Sequence, residues 1–115
     1  MTSDPRLGQW PDVPPSAHQL LAVVRRLAAD SSNVRWTAHA LGRLEERDVS
    51  DLDALRVLRK GDIVGPIEPQ REGEWKCKVV FPTEHLGSTR DVGVVTIVQQ
   101  GSRLLIKTVE WENFR

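Results

Sequence analysis

The 115-residue chain has a single cysteine, Cys77, so no disulfide can form within it, and a thiolate metal cluster has no second sulfur to use. Tyrosine is absent, which removes the phenol hydroxyl from the possible proton donors. An excess of one charge is also missing: sixteen Lys and Arg offset sixteen Asp and Glu. No overall field therefore draws the chain to nucleic acid or to an anionic membrane, and any such affinity must be local. The longest apolar run, residues 92 to 98, includes Gly93 and Thr96 and falls far short of the roughly 20 residues that span a bilayer. The opening residues Met1-Thr2-Ser3-Asp4-Pro5-Arg6 have neither the basic start nor the apolar stretch of a secretory signal. With the lone thiol, these absences predict a cytoplasmic protein with no membrane partner.

What is present suits one folded domain: 39% hydrophobic and 28% charged residues exclude the composition of a disordered chain. Pro5, Pro11, Pro14 and Pro15 mark residues 1–15 as a proline-rich arm without regular structure, leaving residues 16–115 as a single domain. Leu20, Val24, Leu27 and Ala28 recur at helical spacing and predict a helix over residues 16–29. Thr37 reads as the N-cap of a second helix ending at Glu46 or Arg47, with Ala40, Leu41 and Leu44 inward. Ser50 caps a third, with Asp51 and Asp53 where the helix dipole favours them, Leu52, Leu55 and Leu58 inward, and Gly61 as its stop.

The second half reads as strands. Ile63-Val64 starts a weak one that Gly65-Pro66 interrupts, and Val34-Arg35-Trp36 is a short extended candidate. Trp75, Cys77, Val79 and Phe81 alternate with Lys76, Lys78 and Val80 until Pro82 ends the run. A polar loop over residues 83–89 precedes a central strand over 92–98, a tight turn at 99–102 and a last strand over 104–111. The expected class is α+β: two to three N-terminal helices packed on a three- to four-stranded antiparallel sheet.

Residue spacing sorts the possible chemistries. His18, His39 and His85 are scattered, with no pair at i and i+4, so no metal is expected, and the glycines offer no phosphate loop, so no cofactor is expected either. Cys77 alternates with apolar neighbours and reads as a buried, inert thiol. Two constellations remain. His39, Arg43 and Glu46, with Arg47 beside them, form a polar stripe on one helix. It is either a solvated ladder of ion pairs, each contributing about 0.2 to 0.5 kcal/mol, or a binding face. Lys76 and Lys78 project from one side of a strand; if Arg90 and Lys107 join them from neighbouring strands, four cations could hold a phosphodiester and stabilise its transition state. Otherwise the lysines protect a solvent-facing sheet from aggregation. Trp36, Trp75 and Trp111 sit in strand contexts and read as packing residues, whereas Trp10, in the arm, reads as an anchor docking on the domain.

The stretch His39-Ala40-Leu41-Gly42-Arg43-Leu44-Glu45-Glu46-Arg47, with Val49-Ser50 after it and Ile106-Lys107-Thr108-Val109-Glu110-Trp111-Glu112 near the end, resembles bacterial domain-of-unknown-function family 4258 over about residues 34–112. That family looks like a relative of the RelE/ParE-type toxins of toxin-antitoxin systems. The resemblance implies a RelE-like fold and a toxin that cuts messenger RNA on the ribosome, an endoribonuclease needing no metal and restrained by an antitoxin protein. By the same resemblance Lys76, Lys78, Arg90 and Lys107 would hold and activate the scissile phosphate, His39 or Arg43 would assist, and Arg47 and Trp111 would bind RNA. Two other functions are compatible with the same fold: a non-catalytic protein-binding module, and a gyrase-inhibiting toxin of the ParE type.

Overall fold

Each helix begins at a side-chain hydroxyl, at Thr37 and Ser50 as expected and also at Ser16, which was expected as the first residue of its helix. Ser16 Oγ accepts the Gln19 backbone N–H at 3.0 Å, and the Gln19 side chain accepts the Ser16 N–H in return, a reciprocal capping box. Thr37 Oγ1 accepts from Ala40 N, and Ser50 Oγ from Asp53 N, each at 3.0 Å. The computed structural model describes residues 14–112; most of the arm, Trp10 included, lies outside them. The helices are α1 (Ala17–Ala28), α2 (Ala38–Glu46) and α3 (Asp51–Lys60), and the strands β1 (Val34–Trp36), β2 (Asp62–Pro69), β3 (Glu74–His85), β4 (Ser88–Gln99) and β5 (Arg103–Trp111).

The α+β class holds, but the sheet has five strands in the order β1-β5-β4-β3-β2, with β1 parallel to β5 and the other pairs antiparallel. It is therefore mixed, which corrects the expected three- to four-stranded antiparallel layout. The added strand is only three residues long, too short for periodicity to identify. It is held by its register, Val34–Trp36 against Leu104–Ile106, and by Thr37, whose N–H and hydroxyl both donate to Ile106 O at 3.2 and 2.9 Å.

Three further expectations about the strands change. Pro82 does not end its strand: the ladder runs through Pro82 opposite Asp91 to His85 opposite Ser88. β2 pairs with β3 only as far as Val80, so beyond it β3 is an edge, where a missing N–H is tolerated. The expected loop at 83–89 is instead a hairpin whose tip, Leu86-Gly87, has φ of 51° and 80°, the left-handed pair that a tight two-residue turn requires. Likewise β2 continues past Gly65-Pro66 by a register shift between Val64 and Glu68, a bulge on an edge strand.

The core lies between the helices and one sheet face. Trp75, Cys77 and Val79 of β3, Val92, Val94, Thr96 and Val98 of β4, and Leu104, Ile106 and Val109 of β5 are buried there against Leu20, Val24, Leu44, Val57 and Leu58. The one buried hydroxyl among these, Thr96, donates to Leu105 O at 3.1 Å. Leu41 and Leu52, expected inward, are 52% and 70% exposed. α2 is seated by Ala40 and Leu44, four apart, and α3 by Ala54, Leu55, Val57 and Leu58, which turns Leu41 and Leu52 to solvent. Among the described residues no helix is long and apolar enough to cross a membrane.

Gly61 does more than stop α3. A Cβ there would stand 2.5 Å from Val80 O and 2.7 Å from Val57 O, both backbone atoms that cannot swing away. Only glycine lets the end of α3 press against β3 at this point. Gly61→Ala is expected to destabilise the fold by about 1 to 3 kcal/mol in urea unfolding; an unchanged midpoint would show that the contact is not tight.

Candidate functional site

Side-chain alternation separates the four expected cations. Lys76 lies opposite Ile97 and Lys78 opposite Val95, so both point to the open face, away from the helices. Arg90 lies opposite Thr83, five residues from Lys78's partner Val95, and parity places it on the helix side; the expected convergence of Arg90 with the lysines therefore does not occur. Lys107 is the extra residue of a bulge, between Ile106 opposite Thr96 and Thr108 opposite Val95. It faces the open side with Ile97 and Leu105, across β4 from both lysines and thus roughly 10 Å away by strand spacing.

Both strand lysines are already engaged. Lys76 Nζ is 3.1 Å from Glu68 Oε1, and Lys78 Nζ is 2.8 Å from Glu112 Oε1 and 3.4 Å from Glu110 Oε2. The Glu112 hydrogen bond, aided by the charge of both carboxylates and opposed by partial burial, holds the Lys78 ammonium above its usual 10.5. Gly93 makes this arrangement possible, because a Cβ there would meet Glu112 Oε2 at 2.6 Å. Glu112 lies in the space the glycine leaves and so reaches the lysine.

The α2 stripe is a surface ladder. Exposed His39 accepts from Arg43 Nε at 3.3 Å, and Glu46 Oε1 takes Arg43 Nη1 at 2.6 Å and Arg47 Nη1 at 3.6 Å. His39 and Arg43 thus neighbour each other but none of the strand lysines among their bonded partners. Cys77 is buried as expected, and burial pushes its thiol up to about 12.

A different cluster gathers where α2 ends. The Asp48 N–H donates to Glu45 O at 3.2 Å and the Val49 N–H to Leu44 O at 3.0 Å, with Asp48 at φ 54°. This is a Schellman ending with aspartate in the left-handed position that usually takes glycine. The fixed backbone presents the Asp48 carboxylate to His85, whose Nε2 lies 3.1 Å from Asp48 Oδ2. The His85 ring meets Trp111 edge-on, centroids 4.9 Å apart at 62°. The Arg90 guanidinium stands 5.1 Å from the centroid of the same Trp111 ring. A cleft of about 500 Å³ opens here, lined by Glu46, Arg47, Asp48, His85, Glu110 and Trp111, within the usual size range of small-ligand sites. Its two remaining carboxylates are partly neutralised, Glu46 by Arg43 and Arg47 and Glu110 by Lys78.

The cleft thus holds an imidazole oriented by a carboxylate, beside an indole and the Arg47 guanidinium, and the Arg90 guanidinium stands over the same indole. With Nε2 against Asp48, Nδ1 is the nitrogen left to exchange a proton with a substrate. Of the residues expected from sequence, Arg90, Arg47 and Trp111 meet here, and Lys76, Lys78, Lys107 and His39 do not. Asp48 and His85 were not expected. The signal for His85 was the Leu86-Gly87 dipeptide: read as a hairpin tip, it makes His85 a strand end on the same face as Arg90. Among the described residues no group of three or more His, Cys, Asp or Glu could hold a metal ion. Comparison with known proteins finds no match, since no family model, no curated protein and no solved structure aligns with the chain.

Replacing Lys78 tests its role on the open face. Lys78→Met leaves Glu110 and Glu112 facing each other and is expected to cost on the order of 1 kcal/mol near neutral pH. Because the folded pKa is raised, this contribution is complete below 10.5 and disappears as pH rises through the higher folded value. Urea titrations of both proteins should show a gap at neutral pH that closes in strong alkali. A gap independent of pH would mean that the methionine acts through packing.

Proposed function

We propose that the protein is a toxin-like endoribonuclease acting on messenger RNA, with its chemistry at the Asp48-His85-Trp111 cleft and not at the strand lysines. The observation that carries this reading is the His85–Asp48 contact of 3.1 Å beside Trp111 and Arg90. In this reading His85 Nδ1 takes the proton of an RNA 2′-hydroxyl as the O2′–P bond forms and the P–O5′ bond breaks. A proton from water completes the O5′ leaving group, giving a 2′,3′-cyclic phosphate and a 5′-hydroxyl. Arg90 and Arg47 counter the charge gathering on the phosphate, Trp111 offers apolar surface to a base, and Asp48 is a positioning residue for the imidazole.

A second reading, a non-catalytic protein-binding module, is favoured by the engaged state of Lys76 and Lys78, which leaves neither strand lysine free to activate a phosphate.

The test is transcript integrity in a bacterial translation extract. Wild type should cleave, and His85→Ala should lower the rate by about 100-fold or more, the usual scale of acid-base catalysis. The Lys76→Ala, Lys78→Ala double variant should stay within about tenfold of wild type if its fold is intact. Cleavage that survives in His85→Ala but is lost in the lysine variant would return the chemistry to the strand. Intact transcripts with folded wild type would select the binding module.

Asp48→Gly separates positioning from folding. Glycine suits the left-handed site, so stability should hold or rise by up to about 1 kcal/mol, while cleavage falls and its pH profile shifts. A parallel loss of stability and activity would make Asp48 merely structural.

A further inference from the structure

The open face of the sheet is divided by charge along the strands. At the end where β3 begins and β4 ends, the register and the hollow beside Ile97 and Leu105 put Arg35, Arg71, Lys76, Arg103 and Lys107 on this side against Glu68 and Glu74. Arg35, Arg71, Arg103 and Lys107 make no ion pair with another described residue. At the opposite end, the same registers place Asp62, Glu84 and Glu110 on this face, and Glu112 joins them over Gly93; Lys78 pairs with Glu110 and Glu112, and Arg25 with Asp62. Between the ends lie apolar positions: Val64, 47% exposed, with Val80, Val95, Ile97 and Leu105. Among the described residues no helix packs on this face: the buried positions of the three long strands point the other way, except Gly93 and Ile97 of β4.

We propose that this face docks a second copy of the chain, related by a two-fold axis through its apolar middle. A two-fold axis lying in the interface plane, across the strands, turns the two faces toward each other and carries the basic end of one protomer onto the acidic end of the other, twice, so that both contacts pair opposite charges. A polyanion fits less well, because half of the face would repel it, and the zero net charge of the chain supplies no compensating attraction. Four strands at about 4.8 Å spacing over roughly 30 Å offer on the order of 600 Å² a side. Standard stable interfaces take about 800 Å² a side, so the dimer is a weak, reversible one. The His85 ring lies on the opposite side of the sheet and is not covered by this contact. The inference does not depend on the RNA reading.

Charge exchange tests it directly with the full chain by sedimentation equilibrium, with circular dichroism to confirm folding. Wild type should associate reversibly, and more weakly in high salt. Arg103→Glu with Lys107→Glu makes both contacts acidic, and Glu84→Lys with Glu110→Lys makes both basic; each variant alone should lose at least about tenfold in association. An equimolar mixture of the two should restore pairing, which a folding defect could not do. A wild type that stays monomeric throughout, or a mixture that does not pair, overturns the proposal. So does a monomer that dimerises only after residues 1–13 are removed, which would give the face to that segment. Binding of a single-stranded RNA oligonucleotide by a monomer, lost with Arg103 and Lys107, would give it to a polyanion and equally overturn the proposal.

Discussion

Alternation of side chains across the twelve-residue β3–β4 ladder is the constraint on which the rest of the molecule depends. A strand has two faces and a period of two, so burying Trp75, Cys77 and Val79 under the helices commits Lys76, Lys78 and Val80 to the open side. The same parity sends Arg90, Val92, Val94 and Thr96 inward or toward the helix side, and through β5 it sorts Trp111 from Glu110 and Glu112. A one-residue slip would exchange every one of these assignments. The separation of the His85 cleft from the lysine face is therefore a consequence of the core.

The two faces have correspondingly different chemistry. On the open side the two strand lysines are held by carboxylates: Lys78 is shared by two glutamates, one of which lies over Gly93, and Lys76 is held by Glu68. At the hairpin end, the long β3–β4 arm carries His85 and Arg90 past the last turn of α2, where a left-handed aspartate waits in place of a glycine. Aspartate in that position gives up some backbone ease, a local cost that a purely structural helix ending would avoid.

Much of the fold was legible because its signals are local. Thr37, Ser50 and Gly61 mark helix ends by hydrogen bonds that span three or four residues, and the alternation around Cys77 reports burial of one face. β1 was not legible as part of the sheet, because three residues carry no period and its parallel pairing with β5 links positions about seventy residues apart. Pro82 misled because its cost depends on whether a third strand lies alongside, and β2 stops short of it. The candidate site was legible only in part: Arg47, Arg90 and Trp111 stood out by type, but periodicity could not say that Arg90 and the lysines occupy opposite faces. Asp48 and His85 escaped because their pairing joins a helix ending to a hairpin tip 37 residues later.

The central claim is that RNA engages the cleft at the end of α2. Its most direct test is a nuclear magnetic resonance titration of the isotope-labelled protein with a short RNA made uncleavable by 2′-O-methylation. The account predicts that the largest shifts fall on the Trp111 indole, the His85 ring and the Arg90 and Asp48 backbone signals, with Lys76 and Lys78 little changed. Shifts confined to the lysine face and β2, or none with RNA in excess, would contradict it.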